Sequence, residues 1–154
     1  MSDENREKEV LACLKKKQEG IVSNRDEKTG LIRSRVMYYG VDESFVGYLM
    51  SVKDSPKVEN ILVSPGITMI VFGMEEPFDL SWEIEINGTA QLLTKDKDIM
   101  TALQTLKGRN PFADVAFESG ITSRFDFIRL TPKFVMYRVY KEALNSEPPF
   151  LLKF

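Results

Sequence analysis

Between Leu80 and Leu93 the apolar residues Trp82, Ile84 and Ile86 alternate with Glu83, Glu85 and Asn87. A period of two is that of a strand with one dry face and one wet face. Such a strand suits an antiparallel sheet, whereas the strands of a doubly wound parallel sheet are covered on both faces. Gly88 interrupts the run, and a glycine inside a strand marks a bulge or the close approach of another backbone, as a curved barrel requires.

The rest of the chain supplies partners for that strand. Ile21 to Arg25 and Leu31 to Tyr39 read as a hairpin around the polar turn Asp26-Glu27-Lys28-Thr29-Gly30. A second turn, Gly40 to Ser44, leads into the short strand Phe45 to Ser51. The nearly unbroken apolar run Ile67 to Phe72 predicts a central strand buried on both faces. Phe125 to Leu130 and Phe134 to Tyr140 are two more strands, separated by Thr131-Pro132-Lys133, before a tail ending in Phe150 to Phe154. Three helices are expected: Glu4 to Gln18, which carries Val10, Leu11 and Leu14 on one face, a short one after Ser55, and Lys95 to Lys107. Asn110 to Gly120 reads as irregular. The fold class is mainly β with added α: an antiparallel split β-barrel of about six to seven strands with flanking helices, as one domain over residues 1–154.

Composition narrows the chemistry. A formal net charge of -2 argues against a general nucleic-acid binder. No apolar run is long enough to span a membrane, and Met1 to Lys8 is too charged for a signal peptide, so a cytoplasmic location is expected. The one cysteine, Cys13, sits among Val10, Leu11 and Leu14 and reads as a buried thiol. The chain has no histidine. That removes the Ser-His and Cys-His nucleophile pairs, histidine-ligated zinc and histidine-bound haem, and leaves any reaction to other side chains or to a cofactor.

The segment with the most chemical content is Ser55-Pro56-Lys57, which opens a short apolar helix after a strand and follows the alternating pair Arg33 and Arg35. Ser55 is a favoured N-cap and Pro56 fits the first helical position. Lys57 would add a full charge to a helix end that already attracts anions, so the segment can cradle a phosphate. Serine and proline also begin helices that bind nothing, and both readings stay open on these residues alone. Neither GxGxxG nor GxxxxGK[ST] occurs.

The order of motifs resembles the pyridoxamine 5′-phosphate oxidase-like family of flavin-binding split barrels over roughly Glu9 to Tyr140. The resemblance lies in Gly30-Leu31-Ile32-Arg33-Ser34-Arg35-Val36-Met37, in Tyr48-Leu49-Met50-Ser51 followed by Ser55-Pro56-Lys57, in Ile84 to Ala90 with its Gly-x-Ala step, and in Leu130-Thr131-Pro132. It implies FMN held in a groove at the interface of a homodimer. Arg35 and Lys57 would contact the flavin phosphate, Ser55 would add its hydroxyl, Ser51 would lie near the ribityl chain or ring edge, and Val36 and Met37 would offer strand backbone to the isoalloxazine. Period-two geometry agrees in placing Arg33, Arg35 and Met37 on one strand face. Two departures matter. Pro56 stands where the oxidase pattern has an arginine, and the C-terminal Arg, His and Trp signature for pyridoxamine phosphate is absent. The chain therefore resembles the family's general-stress and small flavoprotein members rather than the oxidase itself.

Other residues have plainer readings. Trp82 reads as core or dimer interface before a stacking platform, and Tyr38, Tyr39 and Tyr48 share that ambiguity. Arg33 can equally be a solvated strand residue. Glu75, Glu76 and Asp79 read as solvated acids, and Arg124 with Asp126 as a structural pair. Three functions are carried forward: an FMN-dependent oxidoreductase, a deazaflavin-dependent reductase, whose longer anionic tail calls for more cations, and a non-catalytic split-barrel binding or sensor module.

Overall fold

A computed structural model describes residues 2–120 and 122–154. The elements are α1 (Asp3–Lys16), β1 (Glu19–Arg25), β2 (Ile32–Val41), β3 (Gly47–Val52), α2 (Pro56–Val63), β4 (Gly66–Gly73), β5 (Trp82–Leu92), α3 (Asp96–Leu106), α4 (Pro111–Ser119), β6 (Phe125–Val139), α5 (Tyr140–Leu144) and β7 (Phe150–Lys153). The strands form one antiparallel sheet in the order β3-β2-β1-β4-β5-β6-β7. β3 also pairs with β6 from Gly47↔Leu130 to Val52↔Phe125, which closes six strands into a barrel and leaves β7 as an extra strand outside β6. The split-barrel class and antiparallel pairing expected from the sequence are both present.

The alternation in β5 does what period two requires. Trp82, Ile84 and Ile86 point into the barrel and are buried, while Glu83, Glu85 and Asn87 are half-exposed. Trp82 is thus a core residue, as is Tyr39, whose hydroxyl donates to Leu14 O on α1 at 2.5 Å. Cys13 is buried in the same core, and burial pushes its thiol pKa up. α1 lies across one end of the barrel, and its C-terminal carbonyls are gathered by Arg109, which donates to Leu14 O and Lys15 O at 3.2 Å each, to Lys17 O, and to Tyr39 O at 3.1 Å.

Four sequence expectations need correction. Ile67 to Phe72 is not buried on both faces: in β4, Ile67, Met69 and Val71 face the core, while Thr68 and Ile70 are half-exposed and Phe72 is exposed. A barrel strand has one inward face, and no helix covers the other face of β4 well enough to bury it. The doubly buried strand is β3, with Leu49 in the barrel core and Tyr48 and Met50 in a second apolar cluster under α3 and α4. Asn110 to Gly120 is not irregular but contains α4, with Asn110 as N-cap, Pro111 in the first turn and Gly120 in the left-handed conformation at its end. α-Helices therefore number five among the described residues, with α5 a short link between β6 and β7.

The fourth correction concerns Pro132. Phe125 to Leu130 and Phe134 to Tyr140 belong to one strand, β6, running through the proline. A proline is tolerated where a ladder bond is not needed. On one side β3 is registered only up to Leu130 and β7 only from Phe134, so Pro132 falls in the gap between them. On the other side the register shifts at Asn87/Gly88, and Gly88 lies against Pro132. A Cβ added at Gly88 would lie 2.0 Å from Thr131 O, so the bulge anticipated there needs a glycine to let the two backbones meet. Gly88→Ala is expected to destabilise the barrel by about 2–3 kcal/mol, the range of an overpacked interior. Chemical denaturation would measure the loss, and a wild-type midpoint would show that the contact is dispensable.

Candidate functional site

The β2–β3 ladder consists of Tyr39↔Leu49, Gly40↔Tyr48 and Val41↔Gly47. Beyond Tyr39 the two strands part. β2 continues beside β1 alone, from Tyr38 back to Ile32, while β3 continues beside β6. A cavity of about 400 Å³ opens in the gap, inside the range of about 300–1,000 Å³ usual for cofactor sites. Arg35, Val36, Met37 and Tyr38 line it from β2, Met50, Ser51 and Val52 from β3, and Lys57 from α2. Asn110, Phe112 and Phe125 complete the wall.

Five of the six candidate residues, Arg35, Val36, Met37, Ser51 and Lys57, therefore share one cavity wall. Ser55 stands behind it. Its backbone forms the N-cap of α2, but its hydroxyl makes no capping bond and meets Ser51 Oγ at 2.9 Å. Lys57 Nζ donates to the same Ser51 Oγ at 2.9 Å, so Ser51 couples the helix start to the lysine. Arg33 is not in the wall. It pairs instead with the buried Asp26 at 3.7 Å. Asp126 accepts from the Asp54 N–H at 2.9 Å.

Among the described residues the two cations have only neutral hydrogen-bond partners. Arg35 Nη1 donates to Asn24 Oδ1 at 2.8 Å. Among the described residues neither Arg35 nor Lys57 forms a salt bridge. Partial burial lowers the Arg35 pKa first, and Arg33 lowers it further against the opposing pull of Asp26. Burial, then the charge of Arg35, lowers the Lys57 pKa. Two like charges partly withdrawn from water and aimed at one cavity form an uncompensated positive field, which an anion would neutralise. Asn24 is buried and holds the pair in place, because its Nδ2 also donates to Lys57 O at 3.5 Å.

Apart from Asn110, the remaining wall is largely apolar and aromatic. Phe112 and Phe125 lie with ring centroids 6.4 Å apart, inclined at 48°. Tyr38, Asn110, Phe112 and Phe125 belong to no motif recognised in the sequence, and Met50 stands in one without an assigned role. Asn24 is equally silent there, being one polar residue in a strand.

Comparison with protein-family models returns no match, and neither does comparison with curated proteins. Solved structures do match in fold. A heme-binding protein from Mycobacterium smegmatis superposes with a TM-score of 0.75 at 13% identity, covering 96% of this chain. The chain spans only 57% of that protein's length. A Clostridium acetobutylicum protein related to general stress protein 26 of B. subtilis, of the pyridoxinephosphate oxidase family, gives a TM-score of 0.73 at 13% identity, covering 99% of this chain and 97% of the other. A putative pyridoxamine 5′-phosphate oxidase from Listeria innocua gives 0.66 at 21% identity, covering 88% and 98%. The chain has the pyridoxamine 5′-phosphate oxidase-like split-barrel fold. Within it, the general-stress proteins match at nearly full length on both sides.

Because the folded chain holds the Lys57 proton less firmly than the unfolded chain, the ligand-free protein carries a penalty at neutral pH. That penalty is relieved as pH rises through the lowered value toward the ordinary lysine value of 10.5. Lys57→Met, which keeps the length and drops the charge, should remove it at pH 7 and raise ligand-free stability by roughly 0.5 kcal/mol after solvent screening. A variant less stable than the wild type in urea unfolding at low salt would contradict that penalty, which burial and then Arg35 impose.

Proposed function

We propose that the chain is a flavoprotein that binds FMN in the β2–β3 cleft and serves as an oxidoreductase. The observation that carries this reading is the pairing of Arg35 and Lys57 on one cavity wall without a carboxylate partner. A phosphate monoester is a dianion above about pH 6, and two cations with several N–H donors fit its charge and oxygens. The apolar and aromatic side chains of Met37, Tyr38, Met50, Phe112 and Phe125 suit a largely apolar ring system. The β2 edge over Arg35 to Tyr38, paired to β1 alone, has backbone groups free to meet the ring's polar rim. FMN, when bound, supplies hydride or electron transfer, and the chain's part is to hold the phosphate, orient the ring and exclude water from its covered face.

Two alternatives fit less well. A deazaflavin cofactor with a longer anionic tail would need further cations, yet Arg33 is already paired with Asp26 and the cavity wall contains only Arg35 and Lys57. The Mycobacterium smegmatis neighbour is described as heme-binding. This chain has no histidine, so a haem here would depend on Met37, Met50 or Tyr38 for axial ligation.

The mouth of the cleft is rimmed by Val36 and Val52, which are 70% and 67% exposed. Apolar side chains so placed are those a second subunit would cover. The proposed assembly is a homodimer with the cofactor at its interface, and sedimentation of a monomer in the presence of FMN would contradict it.

Arg35→Ala and Lys57→Ala should each weaken FMN binding about 10- to 100-fold, the scale of a lost charge-assisted hydrogen bond. Neither should alter the affinity for riboflavin, which lacks the phosphate. FMN affinity should rise with pH through about 6 as the dianion forms. It should then fall as Lys57 loses its proton, below the ordinary value of 10.5. Quenching of flavin fluorescence measures both effects, and equal affinities for FMN and riboflavin would overturn the phosphate assignment.

A further inference from the structure

Asn110 sits in the cleft wall with 3% of its surface exposed. Its Oδ1 accepts from the Phe112 N–H at 2.8 Å and the Ala113 N–H at 3.4 Å, capping α4. That fixes the orientation of the amide. Nδ2 is turned toward Met50, another wall residue, with Sδ at 3.9 Å. A thioether is a weak acceptor, and Nδ2 carries two N–H groups. Capping uses only the oxygen, a task that aspartate or serine performs as well. The NH2 is thus a donor surplus to the cap, almost wholly buried in the cleft wall, with a thioether as its partner among the described residues.

We infer that Asn110 is a ligand-orienting residue, whose Nδ2 donates a hydrogen bond to an acceptor on the flat part of the molecule bound in the cleft. The acceptor class is a carbonyl oxygen or an unprotonated ring nitrogen of a heteroaromatic ring. This rests on the flavin reading of the cleft and adds to it the group that fixes the ring's register, independent of the phosphate end. A buried donor whose partner is a weakly accepting thioether is under-satisfied in the empty cleft and better satisfied in the filled one. It therefore favours rings with an acceptor at that position over rings without one.

The test compares the full-length wild type with Asn110→Asp and Asn110→Ser, both of which keep the cap, using riboflavin as the probe. Riboflavin carries no phosphate, so the charge introduced by aspartate does not act through that group. Both variants should melt with the wild type, bind riboflavin about 10-fold more weakly, and shift the absorption band of the bound flavin. Arg33→Ala, a change outside the cleft wall, should leave riboflavin affinity and the band unchanged. Wild-type affinity and an unshifted band in both Asn110 variants would overturn the proposal alone, leaving FMN binding through Lys57 intact. Where a variant melts early, the band at saturation decides: unshifted overturns the proposal, shifted supports it. Failure of the wild type to bind either flavin overturns the flavin reading and this proposal with it.

Discussion

β3 is shared unequally between two neighbours, and the cleft follows from that inequality. It has three registered pairs with β2 and six with β6. Past Leu49 β3 stays with β6 alone, and β2 before Tyr39 is left with a free edge. In a fully closed barrel the main-chain groups of both strands would satisfy each other, leaving no edge for a ligand. Here the closing β3–β6 ladder preserves the barrel while the parting of β2 from β3 creates a wall of two strand edges. The close approach of Gly88 to Thr131 and Pro132 belongs to the same design, since it lets β6 run unbroken past β5 and reach both β3 and β7.

Polar side chains then place the charges. Asn24 on β1 receives Arg35 and donates to the backbone of Lys57, while Ser51 on β3 receives Lys57 and meets Ser55. Three strands and a helix start are thus held around one point by hydrogen bonds to neutral partners, with the positive charge unmatched by a carboxylate among the described residues. On the far side, Arg109 ties the α3–α4 turn to the carbonyls of α1 and of Tyr39. That anchor sits beside Asn110, so α4 and its Phe112 are delivered to the cleft by contacts to the barrel's end cap.

The parts legible in the sequence were those fixed by neighbours along the chain. Period two in Trp82 to Asn87 gave a one-sided strand, and Gly88 within it gave the bulge. Arg35, Val36, Met37, Ser51 and Lys57 were identified through a resemblance whose motifs are local, and the structure brings these five to one cavity. What stayed hidden depends on tertiary partners. Nothing near Gly47 to Val52 says that α3 and α4 will cover its outer face, so the doubly buried strand was assigned to β4 instead. The start and stop of α4, Asn110-Pro111 and Gly120, are present in the sequence, but nine residues between them leave little room for a periodic pattern. Asn24 and Asn110 gain their roles only from what folding sets opposite them.

A crystal structure of the chain grown with FMN tests the central claim most directly. The expected result has the phosphate oxygens within hydrogen-bond distance of both the Arg35 guanidinium and Lys57 Nζ, with the ring between the parted edges of β2 and β3. A flavin phosphate bound away from these two side chains, or cations turned out to solvent beside a bound flavin, would contradict it.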